Sequence, residues 1–137
     1  MIIRRFVLEV NEKRAELIRN ALELYIRIRI GQWHETAEVC MRTDSELSGE
    51  DYYERKEQMR PLLGEARAIW FPELGKDLSG NYGVSKFADT RIAYDVFQVL
   101  RHRMSWVLHP EGSWTVDFDR PAQFSDQPFP LCEVKRK

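Results

Sequence analysis

One segment, Asp89 to Leu108, constrains the fold more than any other. Within it, Thr90 to Leu108 reads TRIAYDVFQVLRHRMSWVL. Ile92, Val96, Val99, Leu100, Met104 and Trp106 recur there at helical spacing. Arg91, Asp95, Gln98 and His102 follow at steps of four, three and four, forming one polar stripe on the other side. A helix of this length and pattern must bury its apolar arc against other elements. The chain is therefore expected to be built on packed helices, with this one near the centre.

The 137 residues suit a single domain spanning 1–137. A hydrophobic fraction of 43%, with 12% aromatic residues, is too high for disorder. The formal charge of −1 supplies no overall basic field for nonspecific nucleic-acid binding. Cys40 and Cys132 lie far apart and outside any CxxC pair, which predicts two reduced thiols. The opening MIIRRFVLEV is too short and too charged for a signal peptide or a span, and no apolar run of membrane length follows. These features predict a cytoplasmic protein with no membrane segment and no cofactor.

From the N-terminus, Ile2 to Val10 is β-branched and alternating, which predicts a strand. Asn11 is suited to cap a helix running from Glu12 to Ile30. Tyr25 to Ile30 also alternates with period two, so strand remains open there on local evidence, although the preceding helical turns favour helix. Gly31 predicts a kink or break, with helix again from Gln32 to Met41. A loop is expected over Thr43 to Gly49, with Ser48 and Asp51 resembling a capping box. Tyr52, Met59, Leu62, Leu63, Ala66, Ile69 and Trp70 share a helical face, and Pro61 within that run should kink or split the helix. Pro72 to Lys86 reads as loop. Trp114, Val116 and Phe118 alternate as a strand, and Leu131 to Lys135 reads as a short edge strand after a proline-rich stretch. The expected class is α+β and mainly helical: three or four packed helices, with a small antiparallel sheet from terminal strands.

Complete catalytic signatures are lacking. His34, Glu35 and Glu38 have the spacing of weak metal ligands on one helix, but the second His of a zinc-protease motif is replaced by Glu38. A solvated helix face is the favoured reading, with no metal assigned. Arg91, Asp95, Gln98 and His102 could form a polar binding site, with His102 as acid or base and Asp95 orienting it; a surface facing solvent or a partner is favoured. Arg29 and Arg103 interrupt the apolar arcs of their helices. Each, if buried, should meet a carboxylate, backbone carbonyls or water; snorkelling of the charge to water near a helix end is favoured, and the alternative is a binding role as a basic rim at an oligomer interface or an anion site. Arg4, Arg5, Arg101 and Arg103 lie near Phe6 and Trp106, an aromatic-basic pattern compatible with nucleic acid but disfavoured by the balanced charge. Leu78 to Gly83 has two glycines but no Lys-Ser/Thr ending, so it is not a phosphate loop.

Four stretches carry a resemblance: ELYIRIRIGQW (Glu23 to Trp33), NYGV (Asn81 to Val84), TRIAYDVFQVLRHRMSW (Thr90 to Trp106), and VDFDRP with the later FPLCEV. In these the chain resembles small uncharacterised proteins encoded in tailed phages and prophage regions of Gram-positive-type bacteria. The resemblance implies a genomic setting, a bacterial host cell, and an extended closing segment over Asp117 to Pro130; it implies no activity. The functional expectation is a non-enzymatic accessory protein that binds another protein, with a homo-oligomer as one form of that assembly. Nucleic-acid binding is one alternative, and a metal-dependent enzyme using the His34/Glu38 region is another.

Overall fold

A computed structural model of the chain describes residues 4–41 and 49–136. Of the loop expected over Thr43 to Gly49, only Gly49 is described, where it begins a helix; the rest of that loop, the capping role of Ser48 and the side chain of Cys40 lie outside the described residues. Four α-helices are seen among those residues: α1 Glu12–Arg29, α2 His34–Met41, α3 Gly49–Trp70 and α4 Ala88–Leu108. Two single 3-10 turns, Pro72–Leu74 and Val116–Phe118, complete the regular structure.

Helix α1 starts where Asn11 accepts a 3.0 Å hydrogen bond from the Arg14 amide, relieving one orphan donor of the first turn. It ends in a Schellman closure. Gly31 adopts φ +92°, and the Gln32 amide reaches back to the Arg27 carbonyl at 2.8 Å while the Gly31 amide reaches Ile28. Tyr25 to Ile30 is therefore helical up to Arg29, because its carbonyls are consumed by this closure and by the ladder before it.

Helix α3 runs unbroken through Pro61, so the expected split does not occur. Pro61 is exposed and lines an open groove of about 270 Å³ together with Glu57, Arg60, Lys76, Asp77 and Leu78.

The expected antiparallel sheet is absent: no strand occurs among the described residues. Arg4 to Val10 carries the alternating pattern of a strand but pairs with no backbone ladder, so the pattern has nothing to register against. Trp114 to Phe118 turns instead of extending. Its tight 3-10 geometry brings Phe118 edge-on to Trp106 at 5.2 Å and sets Asp117 3.4 Å from the Arg101 guanidinium. Leu131 to Lys135 is irregular as well. The class is therefore all-helical, not α+β.

The core is formed chiefly where α1 crosses α4. Ile26 and Ile30 pack on Ala93 and Phe97, with Leu22, Tyr82, Val84 and Tyr94 at the margin. Tyr82 is the hinge of an aromatic ladder, edge-on to Phe71 at 5.5 Å and to Phe87 at 5.7 Å. Its amide also donates to the Ile30 carbonyl at 2.8 Å, which ties the long 71–87 connection to the end of α1. Each buried Ile or Phe here contributes about 1.5–3 kcal/mol relative to exposure.

Helix α4 is rotated relative to its apolar pattern. Thr90, Ala93, Asp95, Phe97 and Gln98 face inward, while Ile92 and Val96 lie partly exposed. The inward turn of the polar residues is explained by what covers them.

Candidate functional site

Asp95 and Gln98, one turn apart on α4, grip the C-terminal segment. The Asp95 carboxylate accepts the Phe124 amide at 2.6 Å, the Ser125 amide at 3.1 Å and the Ser125 hydroxyl at 2.5 Å. Gln98 pairs with the backbone of Ala122 in both directions, donating Nε2 to its carbonyl at 2.9 Å and accepting its amide at 3.3 Å. Phe124 lies edge-on to Tyr94 at 5.0 Å. The segment around 121–125 is thus held like an extended peptide on a helix surface. Amide pairing fixes its register, and an aromatic contact anchors its side chain. Burying two polar side chains is tolerable because every stated contact is a satisfied hydrogen bond.

The other two members of that stripe do different work. Arg91 donates to the Ser85 carbonyl at 2.8 Å, fastening the turn before α4. His102 is half-buried two turns along from Asp95, and no residue of the stripe lines the groove between His34 and Leu63 or the one between Glu57 and Leu78.

Arg29 meets a carboxylate. Its guanidinium bonds Asp89 at 2.7 and 3.2 Å and lies 4.4 Å above the Phe87 ring. The Tyr25 hydroxyl donates to the same carboxylate at 2.5 Å. These two donors, Arg29 first, hold the Asp89 carboxyl down at about 2. Arg29, Asp89, Tyr25 and Phe87 form a partly exposed lock between α1 and the start of α4. Arg103 is exposed near the far end of α4. Half-buried Cys132 is a free thiol, and burial pushes its pKa up against a smaller opposing pull from Arg103.

His34, Glu35 and Glu38 do not assemble a ligand set. His34 Nε2 lies 3.4 Å from Glu35, which also faces Arg27 at 3.4 Å. Glu38 accepts from Tyr52 at 2.7 Å and pairs with Lys56, linking α2 to α3. No group of three or more His, Cys, Asp or Glu side chains able to hold a metal occurs among the described residues.

The site residue missed by sequence reasoning is Arg67. It is completely buried, and its guanidinium donates to the carbonyls of Gly31 (2.9 Å), Gly80 (2.5 Å), Leu74 (3.2 Å) and Asp77. The two terminal nitrogens of the guanidinium fork meet this ring of carbonyls, while the buried Nε has no partner. The available signal was an arginine interrupting the α3 pattern, followed by a connection rich in glycine.

The turning of Arg67 inward has a consequence for α3. Gly64 and Arg67 face the protein, while Leu62, Ala66, Ile69 and Trp70 point outward, with Ile69 83% and Trp70 70% exposed. The N-terminal arm is still more open: Phe6 is 92% and Val7 95% exposed. Trp114 is fully exposed. No helix among the described residues is long and apolar enough to cross a membrane. Compared with known proteins, the chain matches no family model, no curated protein and no solved structure.

Proposed function

We propose that this chain is a protein–protein interaction module, an accessory protein of the phage type working in the host cytoplasm as an assembly of its own copies. The observation that carries the reading is the surface the single chain leaves uncovered. It exposes 10570 Å² for a mass of 16.3 kDa, against roughly 7,500 Å² for a compact monomer of that size. The difference, about 3,000 Å², is several times the roughly 800 Å² that each partner contributes to an ordinary stable interface.

The chemistry of the uncovered surface supports the same reading. Large aromatic and aliphatic side chains, Phe6, Leu8, Ile69, Trp70 and Trp114 among them, stand in water. Exposed apolar clusters of this kind mark contact surfaces. Asp95 and Gln98 on α4 are spent on the chain's own tail, and the ion pair of Arg29 with Asp89 joins two helices of the same chain.

Light scattering of the untagged protein across a wide concentration range tests this. A mass of two or more protomers, with loss of apolar dye binding as the assembly forms, is expected. A 16.3 kDa species at every concentration would overturn the reading.

A further inference from the structure

Two apolar features of this chain are complementary, and both stand exposed, so neither covers the other within one copy. The first is the outward stripe on α3, Leu62, Ala66, Ile69 and Trp70, spaced i, i+4, i+7 and i+8 so that it forms one continuous strip. Between Leu62 and Leu74 the charged residues are Glu65, Arg67 and Glu73. Arg67 is buried, so the exposed charges within this stretch are the acidic Glu65 and Glu73, with exposed Arg60 and Lys76 just outside its two ends. The second feature is the arm, where exposed Arg4 and Arg5 precede exposed Phe6, Val7 and Leu8. Basic followed by apolar in the arm matches acidic beside apolar on the helix.

Geometry separates the two within one chain. Arg67 ties the Trp70 end of α3 to Gly31, at the C-terminal end of α1. The arm leaves from the opposite end of α1, and an 18-residue helix is about 27 Å long at 1.5 Å per residue. Phe6 lies five residues before Asn11, a reach of about 17 Å when fully extended. Even fully extended, the Phe6 backbone therefore stops roughly 10 Å short of the C-terminal end of α1.

We propose that the arm of a second copy docks on the α3 strip, with Phe6 and Leu8 against Ile69 and Trp70, and Arg4 and Arg5 beside Glu65 and Glu73. The identity of the occupant rests on the self-assembly reading above. Charge favours it over packing of two α3 strips together, because that contact would bring Glu65 and Glu73 of both copies face to face. Reciprocal exchange of arms also draws on both open features at once, consistent with an uncovered area larger than an ordinary interface requires.

The test is charge reversal in the full-length protein, read by light scattering and sedimentation, with circular dichroism reporting the helices. Arg4→Glu with Arg5→Glu is expected to weaken self-association by at least about tenfold, and Glu65→Arg with Glu73→Arg to do the same. Combining all four substitutions is expected to restore the wild-type assembly, a recovery that only a direct contact between arm and strip produces. An assembly that resists the arm reversal, or that the combination does not rescue, overturns arm docking while leaving self-assembly intact. An assembly broken by Ile69→Asp but indifferent to the arm assigns the strip to an α3–α3 contact and likewise overturns arm docking. A wild-type protein that stays at protomer mass overturns both readings.

Discussion

The Arg67 guanidinium donates at 2.9 Å to the carbonyl oxygen of Gly31, thirty-six residues away, and so fastens the end of α3 to the end of α1. The same guanidinium collects the carbonyls of Gly80, Leu74 and Asp77, which makes the 71–81 connection a collar around one side chain. Replacing Arg67 with Met keeps much of the volume and strands those buried acceptors, each costing about 1–3 kcal/mol. The expected loss is roughly 3–5 kcal/mol in urea unfolding. Arg67→Lys is expected to recover only part, since an ammonium cannot fork toward four carbonyls. Equal stability of Arg67→Met and wild type would show that the collar contributes nothing.

Gly64 faces the same collar. A Cβ there would lie 2.3 Å from the Lys76 carbonyl oxygen, a backbone atom that cannot swing aside. In an exposed helix interior Gly→Ala gains about 1 kcal/mol. Here the clash reverses the sign, and Gly64→Ala is expected to lower stability by about 1–3 kcal/mol. Thermal melting of the single variant decides between the two signs.

Asp95 and Gln98 hold the tail without belonging to the α1–α4 core. Asp95→Ala removes three acceptor contacts to Phe124 and Ser125 and is expected to cost about 2–3 kcal/mol. The loss should be local: hydrogen exchange should quicken at the Phe124 and Ser125 amides while the α1 and α4 ladders keep their protection. Uniform loss of protection along both helices would mean that the tail is part of the cooperative core.

Asp89 sets an acid limb. Its carboxyl is lowered from 3.8 to about 2, first by the Arg29 hydrogen bonds and then by the Tyr25 hydroxyl. A depressed carboxyl contributes stability that is present above its unfolded value and is lost as pH falls through its folded value. The contribution should therefore be intact above about pH 4 and vanish by about pH 2. Because the Asp89 side chain is 38% exposed, solvent screening reduces it to about 1 kcal/mol. Asp89→Asn should flatten the stability profile across that window and leave it parallel to wild type above it.

Much of the helical framework is legible in the chain. Asn11 marks the start of α1, Gly31 its end, and the Thr90 to Leu108 pattern locates α4, because capping and 3.6-residue periodicity are local properties that short sequences carry. The errors fall where local pattern underdetermines partnership. Phe6 to Val10 and Trp114 to Phe118 alternate as strands do, yet a strand exists only when another backbone lies beside it. In Trp114 to Phe118 the pull of Trp106 and Arg101 on Phe118 and Asp117 prevails instead.

Burial on the helices shows the same division. By themselves, the residues of α3 and α4 determined that these segments are helical and amphipathic. Which side faces inward was decided by tertiary structure, through side chains whose partners are remote in sequence. Arg67 turns α3 toward the carbonyls of Gly31 and Gly80 and leaves Ile69 and Trp70 in water. Asp95 and Gln98 turn α4 toward the backbone of Ala122 to Ser125. A polar residue in a sequence reads as surface, and it becomes interior when distant backbone supplies most of the hydrogen bonds that water would have made, as it does for Arg67 at both terminal nitrogens though not at Nε.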